Sequence, residues 1–425
     1  MTAEELIAQE NRYGAHNYHP LPVVLSRGEG VHVWDVDGKA YLDFLSAYSA
    51  VNQGHGHPAI LKALTDQASK LALTSRAFYN DQLGDMEASL AQRFAYDKVL
   101  PMNSGAEAVE TAIKLCRRWA YDVKGMPSNQ AIIVVCDNNF HGRTSTIISF
   151  SSDPDSYDGF GPYGPGFLRI PYNDIAALKE VLNNEFVAGF LVEPIQGEAG
   201  VMVPDANYLA EAAAICHDKG VLFMADEIQT GIARTGSWLA TCGDCHCANA
   251  VCERDESTYV RADILILGKA LSGGVYPVSA VLCDDEIMLS IKPGQHGSTF
   301  GGNPVAAAVT LAALQVVEDE SLMQNARRQG KVFRDALQER IAGLNLVLGI
   351  RGKGLLNAVL INDSEDSTTA WDLCVALSEA GLLAKPTHGN IIRFAPPLVI
   401  NDQEMAKALA IIESVFTDYD ASFKS

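Results

Sequence analysis

The sequence predicts an α/β protein: a large, mostly parallel sheet covered by helices, followed by a smaller α+β domain. Two observations predict this. Between about Pro58 and Pro304, helical periodicity alternates with short apolar runs such as Val221-Leu222-Phe223-Met224 and Ile264-Leu265-Ile266-Leu267, as it does when strands are buried on both faces of a parallel sheet. Past Pro304, an amphipathic helix through Val317, a charged stretch to Arg340 and strands near Leu346 and Ile391 mark a second unit. The 425 residues, 48% of them hydrophobic with 35 Gly, fit two or three domains with packed cores. The expected division is an N-terminal segment 1–48, a large domain 49–309 and a small domain 310–425.

In chain order, Pro20, Pro22, Gly28 and Gly30 precede Val31-His32-Val33-Trp34-Asp35 and Asp37-Gly38. Strand alternation closed by an Asp-Gly turn predicts a small β-element. His55-Gly56-His57-Pro58 reads as a turn entering a helix rather than a metal site. Met102-Asn103-Ser104-Gly105-Ala106-Glu107 precedes a helix whose apolar positions Val109, Ala112, Ile113, Cys116 and Trp119 recur at helical spacing. Ser104, Gly105 and Ala106 would then offer a hydroxyl and free N–H groups to an anion, although Asn-Ser-Gly before a helix also serves as an ordinary cap.

Composition narrows the function class. With 32 basic and 52 acidic residues the net charge is −20, which disfavours nucleic acid or an anionic membrane as partner. No apolar run reaches transmembrane length, and the start, Met1-Thr2-Ala3-Glu4-Glu5, is acidic rather than basic and apolar. A cytoplasmic protein is expected; a mitochondrial one would require a presequence ahead of Met1. Five of the nine cysteines (Cys116, Cys136, Cys216, Cys283, Cys374) stand singly among apolar residues, as buried reduced thiols do.

The chemistry is concentrated in Ala225-Asp226-Glu227-Ile228-Gln229-Thr230-Gly231 and Leu267-Gly268-Lys269-Ala270. Each follows one of the apolar strands, so an acid and a lysine arrive at strand carboxyl ends, where open α/β sheets bind ligands. An acid that can keep a ring nitrogen protonated and a lysine that can form an imine are what pyridoxal phosphate requires. Alone, such a lysine is commonly a solvated loop residue and such an Asp a helix cap. Two further segments complete a pocket. In Asn139-Phe140-His141-Gly142-Arg143-Thr144, Phe140 can stack on a pyridine ring and Arg143 can fork onto a carboxylate. In Gly297-Ser298-Thr299-Phe300-Gly301-Gly302-Asn303-Pro304, hydroxyls and a Gly pair suit a phosphate.

With these residues in place, the chain resembles the class III (subgroup II) aminotransferases of pyridoxal phosphate fold type I, and among them those acting on ornithine. The match is carried by Tyr13 to Pro20, Tyr48 to His55, Leu73 to Tyr79, Val192-Glu193-Pro194-Ile195-Gln196-Gly197-Glu198-Ala199-Gly200, the Asp226 and Lys269 segments, and Leu383-Ala384-Lys385-Pro386-Thr387-His388-Gly389. The resemblance implies that Lys269 bonds the cofactor and that Asp226 faces its ring nitrogen. Phe140 would stack on the ring, Gln229 would contact its 3-hydroxyl side, Ser104, Gly105 and Ala106 would bind its phosphate, and Thr299 would reach the phosphate in the neighbouring subunit of a homodimer with shared sites. It also implies transfer of the δ-amine of L-ornithine to 2-oxoglutarate, giving glutamate-5-semialdehyde and glutamate. Arg393 would grip an α-carboxylate beside the reacting carbon unless Glu198 neutralises it. Ornithine's carboxylate would then go to Arg143, and its α-amine to Tyr18 and Tyr48. A permanent structural Glu198–Arg393 ion pair is the alternative. His141 stands where some relatives carry Trp.

One segment departs from the family: Cys242-Gly243-Asp244-Cys245-His246-Cys247-Ala248-Asn249-Ala250-Val251-Cys252. Cys242, Cys245, Cys247 and Cys252 could hold zinc or form a redox pair, but a second Cys-x-x-Cys at the proper distance is missing; a thiol-bearing surface insertion dispensable for catalysis is expected instead. Competing readings are an acetylornithine or 4-aminobutyrate aminotransferase, and a non-enzymatic metal- or thiol-regulated binding protein that would not need Asp226 and Lys269. A nicotinamide-linked dehydrogenase would need a Gly-x-Gly-x-x-Gly turn after a strand, and none opens a βαβ unit here.

Overall fold

The structure, a computed structural model, describes residues 1–242 and 260–423. The central sheet has seven strands in the order Lys98–Met102, Ser279–Cys283, Ile264–Leu267, Leu222–Asp226, Val187–Val192, Ile132–Cys136, Phe167–Ile170. Ser279–Cys283 runs antiparallel to both neighbours, and the remaining pairs are parallel. Its strands are apolar throughout because both faces are covered. On one face Ile133, Val135, Met224, Ile264 and Ile266 pack under the helix Gly105–Asp122. On the other, Val134, Phe190, Val192, Phe223 and Ala225 meet the helices Ile175–Val181 and Tyr208–Asp218. Phe190 and Phe223 are fully buried, each burial contributing about 1.5–3 kcal/mol.

The helix Gly105–Asp122 starts where the sequence places it: Ser104 caps it, and Glu107 returns the contact to close a capping box. His57 stands at the N-cap position of the helix Pro58–Lys70 without a side-chain capping bond, its ring on Glu320 and that of His55 on Asp43. Beyond the helices Pro304–Asp319 and Leu322–Arg340, the C-terminal part forms an antiparallel sheet in the order Val347–Lys353, Leu356–Ile361, Ile391–Phe394, Lys385–Thr387. The expected boundary between residues 309 and 310 falls inside Pro304–Asp319, whose Asn303 cap and first-turn proline start the helix earlier. The N-terminal strands Leu25–Glu29, His32–Asp35 and Ala40–Asp43 are completed by Leu382–Leu383, so this segment is docked on the C-terminal part. Arg234 ties the parts together: fully buried, it donates to Asn52 and to the carbonyls of Leu355 and Pro396.

After Ala40–Asp43 the chain makes a left-handed turn. Ser46, Ala47, Tyr48 and Ser49 have φ of 50°, 46°, 61° and 71°, at a cost of roughly 1–2 kcal/mol per non-glycine residue. Asp43 Oδ1 holds it by accepting from the N–H groups of Leu45 and Ser46, and the Ser46 hydroxyl donates to Ala395 O.

Candidate active site

Four neighbouring strands deliver their carboxyl ends to one cavity of about 210 Å³, lined by Phe140, Glu193, Asp226, Gln229 and Lys269 among others. Asp226 ends the strand Leu222–Asp226 and stands in register with Ile266 of the adjacent Ile264–Leu267, which places Lys269 beside it. Lys269 lies in the left-handed region (φ 45°), opening a short 3-10 turn. Such strain clusters at functional sites. Burial lowers the Lys269 ammonium from its ordinary value, although Glu198 and Asp226 oppose this.

Phe140 is set by its own N–H, which donates to Glu193 Oε1 at 2.8 Å. Asn139 shapes the same loop by bridging the carbonyls of Cys136 and Phe150. Burial, with help from the Asp226 charge, pushes the Glu193 carboxyl up to about 7. Gly105 and Ala106 line the cavity, and Gly105 lies close under Ile228, where an added Cβ would stand 3.1 Å from its side chain. Ser104 lines a second cavity of about 350 Å³ that also opens onto Lys269; its hydroxyl accepts the Glu107 N–H, so the cap reading holds as well.

At the side of the cavity, Arg393 Nη1 meets Glu198 Oε1 at 2.5 Å. Burial alone would raise the Glu198 carboxyl, but Arg393, Lys269 and Gln229 hold it below its usual value. Gln229 donates to Glu198 Oε1 and to Tyr48 O, and Gly197 leaves the space it occupies, since a Cβ there would collide with its amide. Arg393 also lies 5.3 Å from the Tyr48 ring centre. Other expected residues stand apart. Arg143, 5.9 Å from the Phe140 ring centre, is exposed, as are Tyr18 and Thr299, and none of the three lines either cavity.

The sequence reading missed two residues. His141, noted there only as a variable position, is 3% exposed, and its Nδ1–H donates to Asp226 Oδ2 at 2.7 Å. Glu193 was visible only as part of a matching segment; a lone acid inside the apolar stretch after Val192 was the available signal. Cys245, Cys247 and Cys252 lie outside the described residues, while Cys242 is buried. Among the described residues, no helix is long and apolar enough to cross a membrane.

Comparison with known proteins matches residues 13–416 to the family described as aminotransferase class-III. The chain is 54% identical over 418 residues to the mitochondrial ornithine aminotransferase of Rattus norvegicus, covering 98% of this chain and 91% of the rat protein. A crystal structure of the ornithine aminotransferase from Toxoplasma gondii superposes with a TM-score of 0.94 at 46% identity, covering 99% of this chain and 96% of that one. The acetylornithine aminotransferase from Elizabethkingia anophelis gives 0.87 at 57% identity, covering 98% and 100%. With a fold and a cavity of this construction and a family match over nearly its whole length, the chain belongs to the class III aminotransferases.

Proposed function

We propose that this protein is a pyridoxal phosphate-dependent aminotransferase that moves the δ-amine of L-ornithine to 2-oxoglutarate, forming glutamate-5-semialdehyde and glutamate. The observation that carries this reading is the placement of Asp226 and Lys269 on adjacent strand ends around one cavity, with Glu198 closed on Arg393 beside them. The residues present fit the cofactor. A buried carboxylate, a buried amine and a phenyl ring whose backbone N–H is tied to Glu193 converge on a space of about 210 Å³.

Pyridoxal phosphate supplies an aldehyde that takes up an amine and a ring that spreads carbanion charge. Lys269 would hold the cofactor through its Nζ, and the same amine, once free, would serve as the base for the proton on the carbon bearing the substrate amine. Asp226 keeps a negative charge at the ring nitrogen. Phe140 would cover a ring face, Gln229 would stand by the 3-hydroxyl, and Ser104, Gly105 and Ala106 would offer donors to the phosphate. Glu198, by occupying Arg393, leaves ornithine's carboxylate to Arg143 and its α-amine to Tyr18 and Tyr48. Release of Arg393 admits the α-carboxylate of 2-oxoglutarate.

The working unit in this reading is a homodimer with shared sites. Thr299 and Phe300 are exposed in the single chain, and the helix Ala3–Tyr13 buries no residue, although so short a helix is marginal alone in water. The division into residues 1–48, 49–309 and 310–425 stays part of the proposal, with Pro304–Asp319 bridging the last two. Thiols buried at Cys116, Cys136, Cys216, Cys283 and Cys374 suit a reducing compartment, here the cytosol.

The identity with the acetylornithine enzyme favours a second reading, in which the α-nitrogen is acetylated. The phenol hydroxyls of Tyr18 and Tyr48 suit a charged α-amine, which acetylation removes. The test is borohydride reduction and peptide mapping, with single-turnover assays on both substrates. The pyridoxyl label is expected on Lys269, with ornithine converted faster than N-acetylornithine. A label on another lysine contradicts the site, and the reverse preference contradicts the substrate.

A further inference from the structure

Tyr18 carries one of the two phenols assigned to ornithine's α-amine in the proposed function, yet it stands on residues 14–20, which form neither helix nor strand and are exposed throughout. A stretch of this kind holds a side chain in place only if a contact offsets the entropy of ordering it. The next residue makes that contact. The His19 imidazole lies flat on the Trp371 ring, with centres 4.2 Å apart and planes 3° from parallel, and the His19 carbonyl accepts from Lys385 Nζ at 3.3 Å. A solvated imidazole is satisfied by water, so a stack this flat is the feature to account for.

Both partners of His19 belong to the part of the molecule that carries Arg393. Trp371, half-buried, stands in the first turn of the helix Thr369–Glu379, which packs on the strands Leu382–Leu383 and Lys385–Thr387. Lys385 faces Arg393 directly in the antiparallel pairing of Lys385–Thr387 with Ile391–Phe394. The residue next to Tyr18 is thereby anchored to the elements that hold Arg393, and the Tyr48 ring lies 5.3 Å from the same arginine.

We propose that His19 and Trp371 form a clasp that positions Tyr18, and so sets affinity for the α-amino end of ornithine without altering the chemistry at Lys269. This rests on the δ-transamination reading above. Neither ring touches substrate in this role; both act through Tyr18, and the effect is lost with the stack.

The test compares His19→Ala, which removes the stacked ring and keeps the carbonyl, with His19→Phe, which keeps a ring to lie on Trp371. Steady-state kinetics of the holoenzyme are measured with ornithine and with 5-aminopentanoate, which has the same carboxylate and δ-amine and no α-amine. His19→Ala is expected to raise KM for ornithine roughly 5- to 10-fold, the size of a stacked-ring contact. The kcat should stay within about twofold, and kcat/KM for 5-aminopentanoate should not change. His19→Phe should recover most of the loss, and in a Tyr18→Phe background His19→Ala should add less than about twofold. Equal losses on both substrates, or a loss that His19→Phe does not recover, would make the stack purely structural and overturn the proposal, as would losses that add in full to that of Tyr18→Phe. If the wild type does not convert ornithine, the functional reading falls and the clasp with it. If it does, an unchanged KM in His19→Ala overturns the clasp alone.

Discussion

Asp226, His141 and Glu193 at the floor of the cavity are 4%, 3% and 7% exposed, and each is fixed by hydrogen bonds of its own, whereas Tyr18, which lines neither cavity, is 70% exposed. The floor is assembled by four adjacent strands of one sheet. The mouth, where Glu198 meets Arg393, draws on separate elements, the left-handed turn at Ser46–Ser49 and the C-terminal sheet. The difference teaches that the buried acids at the floor are held by one sheet, whereas the Glu198–Arg393 pair joins elements far apart in the chain, so in the proposed function chemistry and substrate preference would rest on different parts of the framework.

The largest effect expected from breaking this comparison is at the floor. Asp226→Asn should retain the fold yet lose at least 10- to 100-fold in kcat, since a charged hydrogen bond is worth about 1.5–3 kcal/mol and more where charge develops. Circular dichroism and single-turnover kinetics check both halves of this statement. Near-normal turnover would mean that the floor is not catalytic.

At the mouth, Glu198→Ala leaves Arg393 without its partner, so reaction through an α-amine should gain on reaction through the δ-amine. Each tenfold change in the glutamate-to-ornithine ratio corresponds to about 1.4 kcal/mol. An unchanged ratio in single-turnover conversion would make the pair purely structural and remove the mouth's claim to specificity.

A smaller effect separates the two regions by pH. Glu193 titrates near 7 in the folded protein, above its ordinary value of 4.5, because burial and Asp226 disfavour its charge. The folded value being the higher one, this group adds stability only at low pH, and that contribution is lost as pH rises from about 4.5 through 7. Glu193→Gln keeps an acceptor for the Phe140 N–H without the charge. It should therefore unfold at a higher temperature than the wild type at pH 8, by up to about 3 kcal/mol, with the advantage gone near pH 5. Thermal melts at the two pH values decide, and parallel curves would refute the assignment.

Legibility in the sequence follows the same divide. Asp226 and Lys269 could be read because each sits directly after an apolar strand, and the alternation of strands with helices fixes where strand ends meet. The His141–Asp226 contact spans 85 residues and Glu198–Arg393 spans 195; no local pattern encodes either, and the second was anticipated only through family resemblance. The Ser104 segment carried two meanings at once, cap and anion site, since both use the same N–H groups. The turn at Ser46–Ser49 was invisible because it contains neither Gly nor Asn, the residues that announce a left-handed backbone.

That turn has a consequence for engineering. Anyone stabilising this enzyme by scanning for unfavourable backbone would be drawn to Ala47, which is exposed and has φ of 46°. Ala47→Gly should raise unfolding stability by about 0.5–1 kcal/mol, the relief of left-handed strain exceeding the entropy glycine adds to the unfolded chain. Yet the neighbouring Tyr48 would lose the stiffness that keeps its ring beside Arg393, and KM for ornithine should rise in the same variant. Denaturant melts and steady-state kinetics on one preparation would show the exchange; a variant that gains stability with KM unchanged would show that Tyr48 is held by its side-chain neighbours alone. If KM rises as stability does, thermal robustness and discrimination between amines are set against each other in four consecutive residues, and a screen for either property alone would move the other unseen.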